Sequence, residues 1–217
     1  MKPLLKLNSI ALSTTTLFVF TIWTKVFALI DINDFYKILS GGIVSLGVYR
    51  LLVGGIIWLL QKSKKIKKCF LGGYYLEGTW VGFYIGIAGS ERFIIERFEQ
   101  ELNSLVIRGM SFDENMCYHA NWTSSSVNID ITNGKIVYMY DIVPIKYKTN
   151  AEGVAVFNFS RKEKNSPPVK ITGFSADVHL GKRVRAMEIK ISDSFDISDE
   201  EALKQAKEIY GKNKDSF

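Results

Sequence analysis

The chain has 217 residues, 47% of them hydrophobic, with 28 Lys/Arg against 22 Asp/Glu, which is room for one domain of ordinary size plus an appendage. The net charge of +6 is uneven: residues 1–71 carry ten Lys/Arg against two Asp, and residues 72–217 carry 18 against 20 acids. A mildly acidic second part argues against a grip on polymeric nucleic acid, which depends on neutralising phosphates. Two cysteines and two histidines are too few for a disulfide framework or a metal cluster.

Residues 10–30 form an apolar run broken by Ser13, Thr14, Thr15, Thr16, Thr21, Thr24 and Lys25. Residues 38–60 form a second, with Gly41, Gly42, Gly47, Gly54, Gly55 and Arg50 inside it. Each matches the ~20 residues that cross a ~30 Å hydrocarbon core. A short polar turn from Asp31 to Lys37 separates them, and five lysines crowd the stretch from Lys62 to Lys68. The positive-inside rule then puts the amino terminus inside, the acidic turn outside, and everything after Leu60 in the cytoplasm. The start imitates a cleavable signal peptide, but its apolar run is too long and a second span follows directly. Arg50, mid-span, is the candidate membrane-effector residue. It either makes a polar contact in an assembled bundle, or snorkels or pairs with hydroxyls of the first helix. The glycines permit close helix approach.

Residues 74–192 alternate and turn repeatedly, as an all-β domain does. The expected strands are 74–87, 92–101, 104–112, 117–125, 127–132, 135–143, 154–161, 169–178 and 184–192. The fourth and fifth merge into one long bent strand, which leaves eight. Asn133-Gly134 is the clearest hairpin turn; Asp113-Glu114-Asn115, Ser166-Pro167-Pro168 and Leu180-Gly181-Lys182 are others. Short antiparallel strands joined in order favour an up-and-down barrel. In the first strand Trp80, Gly82 and Tyr84 share one face, and Thr79, Val81, Phe83 and Ile85 the other. From residue 196 to 210 the period changes to that of a helix, with Ser198 as N-cap, Glu201 completing a capping box and Gly211 as the stop. The expected layout is therefore a transmembrane hairpin (1–61), a basic juxtamembrane linker (62–73) and a cytoplasmic barrel with a short C-terminal helix (74–217).

No nucleophile-base pair, phosphate loop or metal-ligand spacing is present, so no catalytic residue, metal or cofactor is assigned and the chain is not expected to be an enzyme. Glu96 with Glu99, and the run Asp199-Glu200-Glu201, are explained as solvated faces and a first helical turn. Aromatics, hydroxyls and arginines at strand parity suit a nucleotide-sized ligand. The candidate contacts are Tyr84, Arg97, Arg108, Trp122, Ser124, Tyr138, Tyr140, Phe157 and Arg161, with Trp80 better placed as the floor. Most such aromatics also fill a small barrel's interior.

Two membrane helices, a lysine-rich juncture and an aromatic-rich β domain resemble the two-transmembrane, β-strand-rich effectors of bacterial CBASS anti-phage systems. The segments that carry the likeness are Leu105-Val106-Ile107-Arg108-Gly109, Phe112-Asp113-Glu114-Asn115, Trp122 with Ser124 and Ser126, Val127-Asn128-Ile129-Asp130, Tyr138-Met139-Tyr140, Phe157-Asn158-Phe159-Ser160-Arg161 and Ile171-Thr172-Gly173-Phe174. The resemblance implies a lipocalin-like eight-stranded barrel that binds a cyclic dinucleotide made by a partner nucleotidyltransferase. Binding would drive homo-oligomerisation, and the helices would disrupt the bacterial inner membrane and abort infection. The alternative is a membrane-anchored carrier of a lipid or other apolar molecule.

Overall fold

The computed structural model describes residues 2–26, 29, 33–86, 89–144, 151–163, 166–178 and 181–217. The chain divides into two compact units, Met1–Leu71 and Gly72–Phe217. Part of the first polar turn (Asp31, Ile32), His179 and the first residue of the Leu180-Gly181-Lys182 turn lie outside the described residues.

The first unit holds α1 (Pro3–Lys25) and α2 (Asp34–Lys62), both long and apolar enough to cross a membrane, with mean hydropathy of 1.3 and 2.0. Proline at the start of α1 costs nothing, because that N–H has no intrahelical partner. Asn33 caps α2, its side chain accepting from the Phe35 N–H at 2.9 Å. Hydroxyls within α1 satisfy themselves locally: Thr16, Thr21 and Thr24 each donate to the carbonyl one turn back. Ala11 and Thr15 of α1 and Gly41 of α2 are buried in this unit, while Arg50 projects exposed from α2. The lysine run, expected as a basic juxtamembrane linker, is helical. Ser63 breaks α2 with extended backbone (φ −130°, ψ 108°), and α3 (Lys64–Leu71) restarts immediately, with Ser63 Oγ accepting from the Ile66 N–H at 3.4 Å.

The second unit is a closed barrel of eight antiparallel strands, each paired with the next and the last returning to the first. They are β1 (Gly78–Ile85), β2 (Glu91–Gln100), β3 (Leu105–Phe112), β4 (Tyr118–Asp130), β5 (Lys135–Pro144), β6 (Ala151–Ser160), β7 (Lys170–Asp177) and β8 (Arg183–Ser192). The all-β, eight-stranded expectation holds, and closure leaves no free sheet edge. A register shift between Ser124 and Ser126 bends β4 without breaking it. The turn at Asn133-Gly134 is longer than a two-residue hairpin: Asp130 accepts from the Asn133 N–H at 3.0 Å, and Gly134 supplies the positive φ of 65°. The first strand starts at Gly78, later than its alternation suggested. Gln100 explains this, because its side chain accepts from the Leu76 N–H at 2.7 Å and donates to the Tyr74 carbonyl at 2.7 Å. Those backbone groups are thereby satisfied outside any strand ladder.

The C-terminal helix, α4 (Asp199–Asn213), is capped by Ser198 accepting from the Glu201 N–H at 3.3 Å. It runs through Gly211, which stays helical, with no φ in the left-handed region. Buried Ala202 and Ala206 let α4 lie close on the outer wall, over Val81, Phe83, Phe93 and Ile95. The outward face of β1 is thus covered by α4, and the inward face is left to the barrel lumen.

Candidate ligand site in the barrel

One end of the lumen is filled. Leu76, Trp80, Phe98, Leu105, Ile107 and Ile136 are buried there as one cluster. Trp80 is fully buried, its Nε1–H donating to the Leu76 carbonyl at 2.8 Å and its ring stacked on Phe98 at 5.1 Å. Beyond this plug the lumen opens into a cavity of about 620 Å³, inside the roughly 300–1,000 Å³ range of small-molecule sites.

Glycines set the shape of this cavity. Gly109 stands opposite Trp122 and Gly153 opposite Tyr140 in the strand register. A Cβ on Gly109 would sit 2.0 Å from the Trp122 indole, and one on Gly153 would sit 2.3 Å from the Tyr140 ring. Each ring lies over its glycine, flat on the wall, so a large aromatic lines the lumen without filling it. Tyr138 stacks on Phe157 with centroids 6.1 Å apart and packs beside Tyr140 at 5.7 Å. Tyr84, from the inward face of β1, completes the aromatic lining.

The polar feature of the floor is a pair of carboxyls, Glu96 on β2 and Glu188 on β8, each only 1% exposed. Glu188 stands opposite Gly82 and Glu96 opposite Trp80, so the two reach the lumen from either side of β1. Glu96 Oε1 accepts from Trp122 Nε1–H at 2.7 Å and from the Tyr138 hydroxyl at 2.9 Å. The two carboxyls also hydrogen-bond each other, and Glu96 Oε2 and Glu188 Oε2 meet no other polar partner among the described residues. Burial pushes the Glu188 carboxyl well above the usual carboxylate range, and the neighbouring Glu96 pushes it further. Burial also raises Glu96, though hydrogen bonds from Glu188, Trp122 and Tyr138 hold it back. The pair therefore reads as Glu188 the acid and Glu96 the base sharing its proton. Burial also raises Tyr138 well above its ordinary value and Tyr140 to about 12, so both phenols stay neutral. His119, Asp177 and Lys182 add charge-bearing groups to the lining.

Of the ten sequence-predicted contacts, Tyr84, Trp122, Tyr138, Tyr140 and Phe157 meet in this cavity. Trp80 is the floor beneath it, as its position in the strand suggested. Ser124 is turned to the wall, accepting from the Ile107 N–H at 2.9 Å. The three arginines stand elsewhere, which corrects their placement. Arg97 and Arg108 occupy outward positions, bonded to Asp199 at 2.7 Å and Glu99 at 3.0 Å. Arg161 lies past the end of β6, donating to the Ile131 carbonyl at 2.9 Å. Strand parity is the reason: Glu96 and Phe98 face in, so Arg97 between them faces out. The same parity contradicts the solvated-face reading of Glu96. Ser111, Ser175, Glu188 and the residues of the mouth were missed altogether. Sharing parity with Ala186 on β8 was the one sequence signal that could have found Glu188. Among the described residues no cluster of three or more potential ligands for a metal ion occurs.

A wall of flat rings above a buried, proton-sharing carboxyl pair suits a planar ligand that stacks by its faces. Compared with known proteins, the chain matches no family model, no curated protein and no solved structure.

Proposed function

We propose that this chain is a membrane-anchored receptor of the CBASS effector type, whose barrel binds a cyclic dinucleotide and whose helices then assemble and disrupt the bacterial inner membrane. The observation that carries this reading is the cavity, closed at one end, large enough for a small ligand, aromatic at the walls and carboxylic at the floor. Bases stack on such rings, and Lys182 in the lining is a cation for a phosphate. Polar groups of the lining, Ser175 and Lys182 among them, disfavour the alternative of a lipid carrier, since an alkyl chain would cover them without hydrogen-bonding them.

Two helices long and apolar enough to span a bilayer precede the barrel. Gly47 and Gly54, seven residues apart on one face of α2, have open space where a side chain would project, which suits close approach between copies. Tethering concentrates the receptors in two dimensions, so a modest ligand-induced gain in self-affinity suffices for clustering. In this reading both termini are cytoplasmic, the synthase of the ligand is the functional partner, and Arg50 would act within the assembled helices.

The test is growth and membrane potential of bacteria expressing the full chain, with and without a cyclic-dinucleotide synthase. The reading expects depolarisation and growth arrest only with the synthase, and a shift to larger oligomers in detergent when the nucleotide is added. Unchanged viability and unchanged oligomer size across the cyclic dinucleotides would refute it.

A further inference from the structure

We infer that the outer wall of the barrel carries a second binding site, separate from the lumen, for a phosphate-bearing anion of two or more charges. On β8 the alternation that turns Val184 and Ala186 into the lumen turns Arg183 and Arg185 outward. Facing the end of α4, they line a groove of about 570 Å³ together with Lys182, Lys214, Tyr210 and Phe217. Arg185 and Phe217 also line an adjoining hollow of about 390 Å³, to which Lys170 of β7 adds a further cation. Among the described residues no Asp or Glu lines either one.

Two observations separate this groove from an ordinary solvated basic face. The first is its setting: residues 72–217 carry 18 Lys/Arg against 20 Asp/Glu, so cations gathered around one groove are a local concentration in an acidic unit. The second is how its arginines are held. The other four arginines of the unit have oxygen partners: Asp199 for Arg97, Glu99 for Arg108, and the Glu91 and Ile131 carbonyls for Arg92 and Arg161. Arg183 and Arg185 have rings instead, 4.6 Å from the Phe174 centroid and 4.8 Å from that of Phe217. A ring fixes a guanidinium while leaving its N–H fork open to an anion, where a carboxylate would occupy it. Folding gains nothing from cations set side by side, but a concave site of one sign focuses its field on an anion. Arginine forks match phosphate oxygens two at a time, and several cations around one groove match more than one negative charge. A free polyphosphate and a phospholipid headgroup offer that same chemistry.

The experiment titrates the full chain in detergent with inorganic pyrophosphate, ATP and dihexanoyl phosphatidic acid, with sulfate as the comparison ion. At least one phosphate probe is expected to bind more tightly than sulfate; pyrophosphate or ATP in first place assigns a free polyphosphate, and phosphatidic acid in first place a lipid headgroup. Arg183→Gln combined with Arg185→Gln should weaken the tightest probe about tenfold or more, the loss expected when charge-assisted hydrogen bonds go. Arg97→Gln combined with Arg108→Gln, which removes two arginines already paired to carboxylates, should leave it unchanged. Sulfate binding as tightly as every phosphate probe, or no binding by any probe, would overturn the inference on the wild-type chain alone, whatever the variants do. Phosphate binding that survives the loss of Arg183 and Arg185 would overturn it as well. None of these outcomes bears on the lumen, where Trp122, Tyr138 and Tyr140 stand apart from the groove.

Discussion

Replacing Glu188 with Gln tests the energetics of the floor without any ligand. Both glutamates have folded-state pKa values raised above the ordinary carboxylate range, chiefly by burial. A group whose folded pKa is raised contributes stability that is present below its unfolded pKa and lost as pH rises towards its folded pKa. The ligand-free barrel is therefore expected to lose stability from about pH 4.5 upwards, where the unfolded chain releases protons that the folded chain retains. The slope is at most about 1.4 kcal/mol per pH unit for each retained proton, or about 2.7 kcal/mol between pH 5 and pH 7 for one. Glutamine at 188 keeps the volume, stays neutral throughout, and offers an amide N–H in place of the acid proton shared with Glu96.

Glu188→Gln should accordingly match the wild type near pH 5 and exceed it by roughly 1–3 kcal/mol at pH 7.5, about 2–4 °C per kcal/mol for a unit of this size. Thermal melts of the full chain in detergent at pH 5, 6, 7 and 8, followed by tryptophan fluorescence, measure it. Tyr84, Tyr138 and Tyr140 also face the lumen, and burial raises all three pKa values, so they remain neutral across this range. His119→Gln and Asp177→Asn are the controls for the other titratable groups of the lining. A Glu188→Gln variant with the wild-type slope, or one less stable at pH 7.5, would refute the shared-proton reading of the floor.

Gly109→Ala should cost about 1–3 kcal/mol in urea unfolding by overpacking and displace the indole whose ring would lie 2.0 Å from the new methyl. A second readout is ligand affinity, which should fall as Trp122 leaves Glu96. Trp80→Phe removes the donor to the Leu76 carbonyl and should cost about 1–3 kcal/mol, the penalty of a buried acceptor left unmade, without a comparable loss of ligand affinity. Arg97→Ala and Arg108→Ala break partly exposed ion pairs and should change stability by no more than about 1 kcal/mol. Calorimetric titration should find ligand affinity unchanged in both.

The barrel was legible because closure depends on patterns that sequence carries locally: period-two alternation, turn residues and eight segments in series. The capping box at Ser198 was legible for the same reason. The site was only half legible. Aromatics share a face wherever alternation is clean, so Tyr138 with Tyr140, and Trp80 with Tyr84, could be grouped correctly. Charged residues were misassigned because residue type outweighed position. Arginine suggests phosphate and glutamate suggests solvent, yet parity alone puts Glu96 inside and Arg97 outside. The convergence of Glu96 with Glu188, 92 residues apart in the chain, could not be read at all, since it depends on β8 returning to β1. The helix within the lysine run was hidden by its charge, although lysine is a good helix former.

The division of the lumen into a plugged half and a hollow half has an energetic consequence. The plug end buries apolar rings and satisfies its polar atoms, as Trp80 with Leu76 and Gln100 with Tyr74 show. The hollow end keeps two carboxyls out of water, bonded to each other, an arrangement that destabilises the barrel as pH rises. Folding alone gives no reason for such a floor, since an apolar pair of similar volume would be as stable or more so. Anything that binds the hollow end and favours one protonation state of the pair shifts that balance only in the bound state. The hollow end is therefore the half of the barrel whose stability should respond most to pH and to occupancy.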